Sequence, residues 1–381
     1  MSDTMSSPSY IQTVRLEPQA APTATSGAIG WMRKNLFSSV LNAVLTVLAI
    51  ALIVVVVIPL YNFAIGNAVL VGASGQACTT AAAGAHVGAC WPFVTNRFWN
   101  FIYSTYPEAE RWRVNLYFLL EIATFVWLLV PRIGGKGWAL LNLLVVFPLL
   151  SLWLLTGGLG LTPVETSRWG GFLLTIVVAT VGITASLPLG VLFALGRRST
   201  MPVARYLSIA FIEYFRGIPL IVVLFLANII LRYFLPASWN PDTLLRALIG
   251  MSLFASAYMA EVIRGGIAAI PKGQFEGAQA LGLKYWQSLA FIILPQGLKQ
   301  AIPGIVNTFI AMFKDTTLVA AVAIPDLLAT IISNSQSTDW LAPTVLYTGF
   351  IFAASIYWIF CFAMSRYSLW MERRLDTGHK R

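Results

Sequence analysis

The chain has 381 residues, of which 58% are hydrophobic and only 10% charged, with a net charge of +10. A soluble domain carries about 25% charged residues, so charge this scarce, with a mean hydropathy of +0.76, excludes an ordinary water-soluble fold. The surplus Lys and Arg fall between apolar stretches, which points to loops beside anionic lipid and away from nucleic acid.

Residues 1–30 are polar, carry Pro8, Pro18 and Pro22, and read as disordered, within a cytoplasmic tail expected over 1–34. The first apolar run, 36–60, has no charge. It is too long for the roughly 7–15-residue core of a secretory signal, so it is expected to stay as a membrane helix. A spanning helix needs about 20 apolar residues. Eight stretches qualify: 36–60, 114–130, 138–160, 170–196, 207–235, 244–264, 300–326 and 341–365. The predicted fold class is therefore all-α integral membrane with about eight transmembrane helices. The second stretch is short and holds Glu121; the seventh is broken by Lys314 and Asp315, so its far half is expected to tilt or re-enter.

Basic residues in short loops set the orientation. With both termini cytoplasmic, the inside loops and tails hold Arg15, Arg33, Lys34, Arg132, Lys136, Arg197, Arg198, Arg205, Arg264, Lys272, Lys284 and Lys299, and then Arg366, Arg373, Arg374, Lys380 and Arg381. The outside keeps Arg97, Arg111, Arg113, Arg168, Arg232 and Arg246. A long external segment, 61–113, holds Cys78 and Cys90. An oxidising periplasm favours a disulfide between them, against two free thiols. Cys361, inside the last span, reads as a packed thiol.

The cytoplasmic loop 265–295 carries the mechanism. Residues 274–281 read as a short helix with Gly282 suited to a left-handed stop. Residues 284–291 read as a second short helix, and Pro295 as the start of the next span. Two short helices meeting at a glycine form a knob that transmits force to a cytoplasmic partner.

Here the chain resembles the permease subunits of ATP-binding-cassette importers. Their cytoplasmic signature is Glu-Ala-Ala, three residues, Gly, nine residues, Ile, one residue, Leu-Pro. This chain matches at Glu276, Ala278, Gly282, Ile292, Leu294 and Pro295, with Leu283 beside the glycine, and departs at Gly277. Glycine there weakens a helix by about 1 kcal/mol but stays small enough for close docking. The run from Glu213 through Arg216, Gly217 and Pro219 to Leu220 is similar to the Phe-Arg-Gly-Thr-Pro-Leu run of polar-amino-acid permeases of the histidine/glutamine type, with Ile218 in place of Thr. The stretch from Met312 to Val319 resembles that family's Lys-Asp/Ala-Thr-Ser-Leu run.

The resemblance covers residues 170–372. It implies a type I importer permease core of five helices over 169–372, preceded by an extension of three helices over 35–168, with a short tail at 373–381. The extension is similar to that of the long permeases of general L-amino-acid uptake systems. The implied partners are a paralogous permease subunit in a heterodimer, an ABC ATPase dimer binding ATP and Mg, and a periplasmic amino-acid-binding protein.

Ionisable groups at bilayer depth are costly and functional by default. Asp315 is expected to receive a substrate ammonium, with Thr316 and Thr317 adding hydroxyls and Asn307, two turns earlier, on the same face. The competing reading of Lys314 and Asp315 is an internal ion pair that fixes the helix break. Arg216, three residues from Glu213, is expected to pair with it, or else to meet a substrate carboxylate. Glu261 and Arg264 are spaced likewise and read as bracing for the docking loop. Glu121 has no nameable partner, and His86 and His379 carry no assignment.

The sequence lacks the phosphate-loop spacing Gly-x-x-x-x-Gly-Lys-Ser/Thr; the run at Gly134, Gly135, Lys136 and Gly137 shares its composition only. No catalytic residue and no metal site is read. Two other readings compete: a secondary amino-acid transporter coupled to ions through Glu121, Lys314 or Asp315, and a non-transporting membrane scaffold. The first is disfavoured by the lack of an inverted repeat.

Overall fold

The computed structural model describes residues 27–83, 86–236 and 241–375. They fall in two bodies, residues 27–67 and residues 68–375. The first contains α1 (Gly27–Asn35) and α2 (Val40–Tyr61), whose last turn widens over Asn62–Gly66. Ser39 caps α2 by accepting the Asn42 N–H at 3.2 Å. None of the side chains of α2 is buried and all its faces are apolar, the pattern of a helix whose solvent is lipid. Helix α1 corrects the tail expected over 1–34: its end is ordered, with Arg33 and Lys34 in the last turn, where they suit the helix dipole. The rest of that tail, 1–26, lies outside the described residues, as do Lys380, Arg381 and His379.

The second body contains α3 (Trp91–Tyr103), α4 (Arg111–Leu129), α5 (Lys136–Thr156), α6 (Gly171–Arg197), α7 (Pro202–Gly217) and α8 (Leu220–Phe234). It continues with α9 (Thr243–Ala268), α10 (Lys272–Ala280), α11 (Tyr285–Val322), α12 (Leu327–Ser335) and α13 (Val345–Leu375). Among the described residues seven helices are long and apolar enough to cross a membrane, and the pair α7–α8 makes an eighth if counted as one broken span.

Several expectations change. The stretch 207–235 is not one straight helix: α7 and α8 meet at 113°. Ile218 is extended and Pro219 leads into α8, because proline disfavours a helical residue before it and cannot continue the helix. The external segment 61–113 is not a plain loop, since α3 buries Phe93, Val94 and Phe101. The second short helix at 284–291 is not separate. It is the first turn of α11, which runs through Pro295 after a widened turn at Leu289–Ile293. That turn accommodates a proline that lacks an N–H and would clash with the preceding carbonyl. Glu121 is not alone either: the Thr180 hydroxyl donates to its Oε1.

Helix α6 is the spine. Its 27 residues span about 40 Å. Glycines let its neighbours approach: a Cβ on Gly182 would lie 2.2 Å from Met312 of α11, and one on Gly190 2.5 Å from Met259 of α9. At its first turn the Gly171 N–H donates to Pro325 O at 2.9 Å, and the start of α12 stands beside it. At its last turn stand α7, α9 and α10.

Candidate functional site

The loop 265–295 folds as one short helix on a hinge. Helix α10 ends at Leu281 with Gly282 in the left-handed conformation, φ 71°. The Leu283 N–H donates to Ala278 O at 3.1 Å and the Gly282 N–H to Gln279 O at 2.9 Å, the paired bonds of a Schellman stop. Ala278 is buried and Phe275 packs into a cluster with Ile267, Ile270, Leu289 and Ile293. The Arg198 guanidinium lies 6.0 Å from the Phe275 ring centre, and Gln296 Nε2 donates to Gln274 Oε1 at 3.1 Å. The inner face of α10 is thus tied to α6, α9 and α11.

Its outer face is open. Glu276, Gly277, Gln279 and Ala280 are exposed, and Leu281, Tyr285 and Trp286 add apolar surface beside them. A Cβ on Gly273 or Gly277 would meet nothing within 4 Å. Among the signature residues, Glu276 and Gly277 face outward, Ala278 anchors the helix, Gly282 and Leu283 make its stop, and Leu294 and Pro295 lie inside α11.

A Cβ at Gly282 has open space but a strained backbone, costing about 1–2 kcal/mol. Gly282→Val is therefore expected to fray the end of α10. Trypsin cleavage of the purified chain at Lys284 should speed up about fivefold or more, while Gly273→Ala should leave the cleavage rate unchanged.

A charge cluster sits behind α10. Glu261 of α9 meets Arg197 of α6 at 3.0 Å, Arg264 at 2.9 Å and Arg216 of α7 at 3.6 Å. Arg197 also meets Glu213 of α7 at 2.8 Å. The expected pair between Glu213 and Arg216 is not formed, because the same helix turn puts both beside stronger partners on α6 and α9. The bracing role read for Glu261 and Arg264 is a wider link. Arg197 was legible only as a loop charge, since no spacing rule joins residues on different helices.

The polar stretch in α11 is divided. Asn307 and Lys314 are exposed and Asp315 is half-buried. Lys314 and Asp315 form no ion pair among the described residues. Thr316 is buried and its hydroxyl donates to Phe313 O at 2.8 Å, while Thr317 donates to Lys314 O at 3.0 Å. Of the two, Thr316 is fully buried and Thr317 partly exposed. Arg216 stands apart: its partner Glu261 neighbours Val262, which packs on Gly304, eleven residues and about 16 Å before Asp315 along α11.

An open cleft of about 410 Å³ lies between the end of α11 and α12, lined by Thr317, Asp326, Ala329, Ile332, Ser333 and Gln336. Asp326 caps α12, accepting the Ala329 N–H at 2.9 Å and the Leu328 N–H at 3.1 Å, with Tyr357 donating at 3.2 Å. Ser333 and Gln336 are free to face a solute.

Comparison with known proteins agrees with this geometry. Residues 186–377 match the binding-protein-dependent transport system inner membrane component family. The chain is 47% identical over 367 residues to the inner membrane amino-acid ABC transporter permease protein YhdY of Escherichia coli, covering 95% of this chain and 96% of that one. It is 38% identical to the glutamate/glutamine/aspartate/asparagine transport system permease protein BztC of Rhodobacter capsulatus, covering 99% of this chain and 100% of that one. The probable glutamine ABC transporter permease protein GlnP of Bacillus subtilis is 33% identical, covering 52% of this chain and 88% of that one. The chain belongs to the binding-protein-dependent transport system inner membrane component family, among its amino-acid ABC transporter permeases.

Proposed function

We propose that this chain forms half of a heterodimeric pathway for polar L-amino acids, with glutamate, glutamine, aspartate and asparagine as first candidates. Those four are named for BztC, which aligns along the full length of both chains. The single observation that carries the mechanism is the short helix α10, held rigidly on its inner face and open on its outer one. Glu276, Gly277 and the apolar rim of Leu281, Tyr285 and Trp286 dock in a groove of the ATPase. That partner binds ATP and Mg. Its closure pushes α10, and the push passes into α6, α7 and α9 through Phe275, Arg198 and the Glu261 cluster. Both termini and α10 then lie on the cytoplasmic side, and the cleft by α12 on the periplasmic side, where a binding protein releases its cargo. Residues 35–168 act as an extension and 169–372 as the permease domain.

Within the pathway, Asp315 receives the substrate ammonium, with Thr317 next to it and Asn307 about 12 Å before it along α11. The test is uptake of radiolabelled glutamate and glutamine by the complex, purified with its partners and reconstituted in liposomes. Uptake should need ATP inside and binding protein outside. Asp315→Asn should lower uptake about tenfold while ATP hydrolysis persists, which is the scale of one charge-assisted hydrogen bond. Uptake by the chain alone under an ion gradient would overturn the coupling mechanism, and undiminished uptake by Asp315→Asn would remove that residue from the pathway.

A further inference from the structure

Helix α12 is nine residues long, too short to hold its own place, since isolated helices below about 12 residues are marginal. It has two faces. Ala329, Ile332, Ser333 and Gln336 turn to the cleft. Thr330, Ile331, Asn334 and Ser335 are not on the cleft; Thr330 accepts the Gly171 N–H of α6, while the segment 68–103 meets Ile331, Asn334 and the turn that follows.

The grip has three parts. First, the Val69 N–H donates to Ala89 O at 2.8 Å and the Trp91 N–H to Val69 O at 3.0 Å, and a disulfide joins Cys78 to Cys90, their Cα atoms 5.7 Å apart. This closes the segment on itself. Second, it reaches the turn between α12 and α13 and the start of α13: the Gly75 N–H donates to Asp339 O at 2.7 Å, Arg97 meets the Asp339 carboxylate at 3.3 Å, and the Cys90 N–H donates to Thr348 Oγ1 of α13 at 2.7 Å. The fit at Gly75 is tight, because a Cβ there would lie 3.0 Å from the Trp340 backbone. Third, α3 meets α12 itself. Asn334 Nδ2 donates to Asn100 Oδ1 at 2.6 Å, and Ile331 is buried in one cluster with Phe93, Val94 and Phe101.

We infer that segment 68–103 is a disulfide-closed brace that positions α12 as a fixed wall of the outer end of the pathway, with Asn100 as the positioning residue. This rests on the reading that the α12 cleft belongs to the pathway. The brace lies outside the residues that match the family, so the permease core does not supply it. With the wall fixed, each power stroke opens the pathway at other elements, and substrate meets Ser333 and Gln336 in a constant place. Without it, α12 wanders, cargo is accepted poorly, and ATP is hydrolysed with less transport.

The test uses the whole transporter in liposomes, with ATP inside and glutamate-loaded binding protein titrated outside. Asn100→Leu removes the acceptor of the Asn334 amide, whereas Asn100→Asp keeps it and gives up only the bond from Asn100 Nδ2 to Ser104 O at 3.3 Å. Asn100→Leu and the double variant Cys78→Ser/Cys90→Ser should raise the half-saturating binding-protein concentration about fivefold and the ATP used per glutamate about threefold. Maximal ATP hydrolysis should stay within twofold, and Asn100→Asp should behave as wild type. A membrane-impermeant phosphine added outside to assembled wild type should reproduce the double variant, which settles the matter if that variant does not assemble. The brace is overturned if half-saturation and the ATP ratio do not move, or if uptake and hydrolysis fall together in step with the amount of complex. Failure of wild-type import would instead overturn the proposed function.

Discussion

Glu276→Lys is expected to abolish uptake while leaving the chain inserted and folded. Glu276 stands exposed on the outer face of α10 and makes no hydrogen bond or ion pair within the chain among the described residues. Surface changes of that kind move stability by about 0.5 kcal/mol or less. Any large effect therefore has to come from a partner. Reversing a charge at a docked contact costs about 2–5 kcal/mol, or a thirtyfold or greater loss of association. The ATPase should no longer co-purify with the variant at near-stoichiometric yield, and uptake should fall below a few per cent of wild type. The thermal unfolding of the purified chain should not change. A variant that keeps its ATPase and its uptake would show that α10 is not the point of contact, and the path of force from α10 into α6 would lose its origin.

The elements that make this prediction possible were partly legible in the sequence. Hydropathy located the spans, because lipid demands about 20 apolar residues in a row and few other forces mimic that demand. It placed their ends poorly. Helix α11 begins at Tyr285, about ten residues before the predicted start at Pro295, and α13 runs on to Leu375, because a helix need not stop where the membrane does. The stop of α10 was legible at Gly282, since a left-handed residue leaves a chemical trace. The break between α7 and α8 had its mark in Gly217 and Pro219, but its angle depends on packing. What could not be read were contacts between distant residues. The partners of Glu261 come from three helices, and Asn100 meets Asn334 across 234 positions. The pattern around Thr316 misled for a different reason. A hydroxyl in a polar run looks available, yet the Phe313 carbonyl one turn before it takes its hydrogen bond.

Glu261→Gln tests the link behind α10, and its effect on folding should be the larger of any single charge removed there. The side chain is 16% exposed and serves three guanidinium groups. Glutamine keeps the shape and one acceptor oxygen, so packing is preserved and only the charge is lost. Arg197, Arg216 and Arg264 would then share Glu213 alone, whose side chain is 56% exposed and meets Arg197 only. The arginines are 25–40% exposed and partly served by water, so removing the one charge they share costs about 1–2 kcal/mol, between an exposed pair and a buried one. That should lower the midpoint of thermal unfolding in detergent by about 2 °C. Glu213→Gln provides the control. An exposed pair contributes under about 1 kcal/mol and is screened by salt, so its shift should be small and should vanish in 0.5 M salt, whereas that of Glu261→Gln should persist. Because the same cluster joins α6, α7 and α9 beside α10, Glu261→Gln should also raise the ATP consumed per amino acid carried, even at temperatures where the complex stays intact. Equal small shifts in both variants would mean that the three arginines are satisfied by water, and that force from α10 passes through the apolar contacts of Phe275 instead.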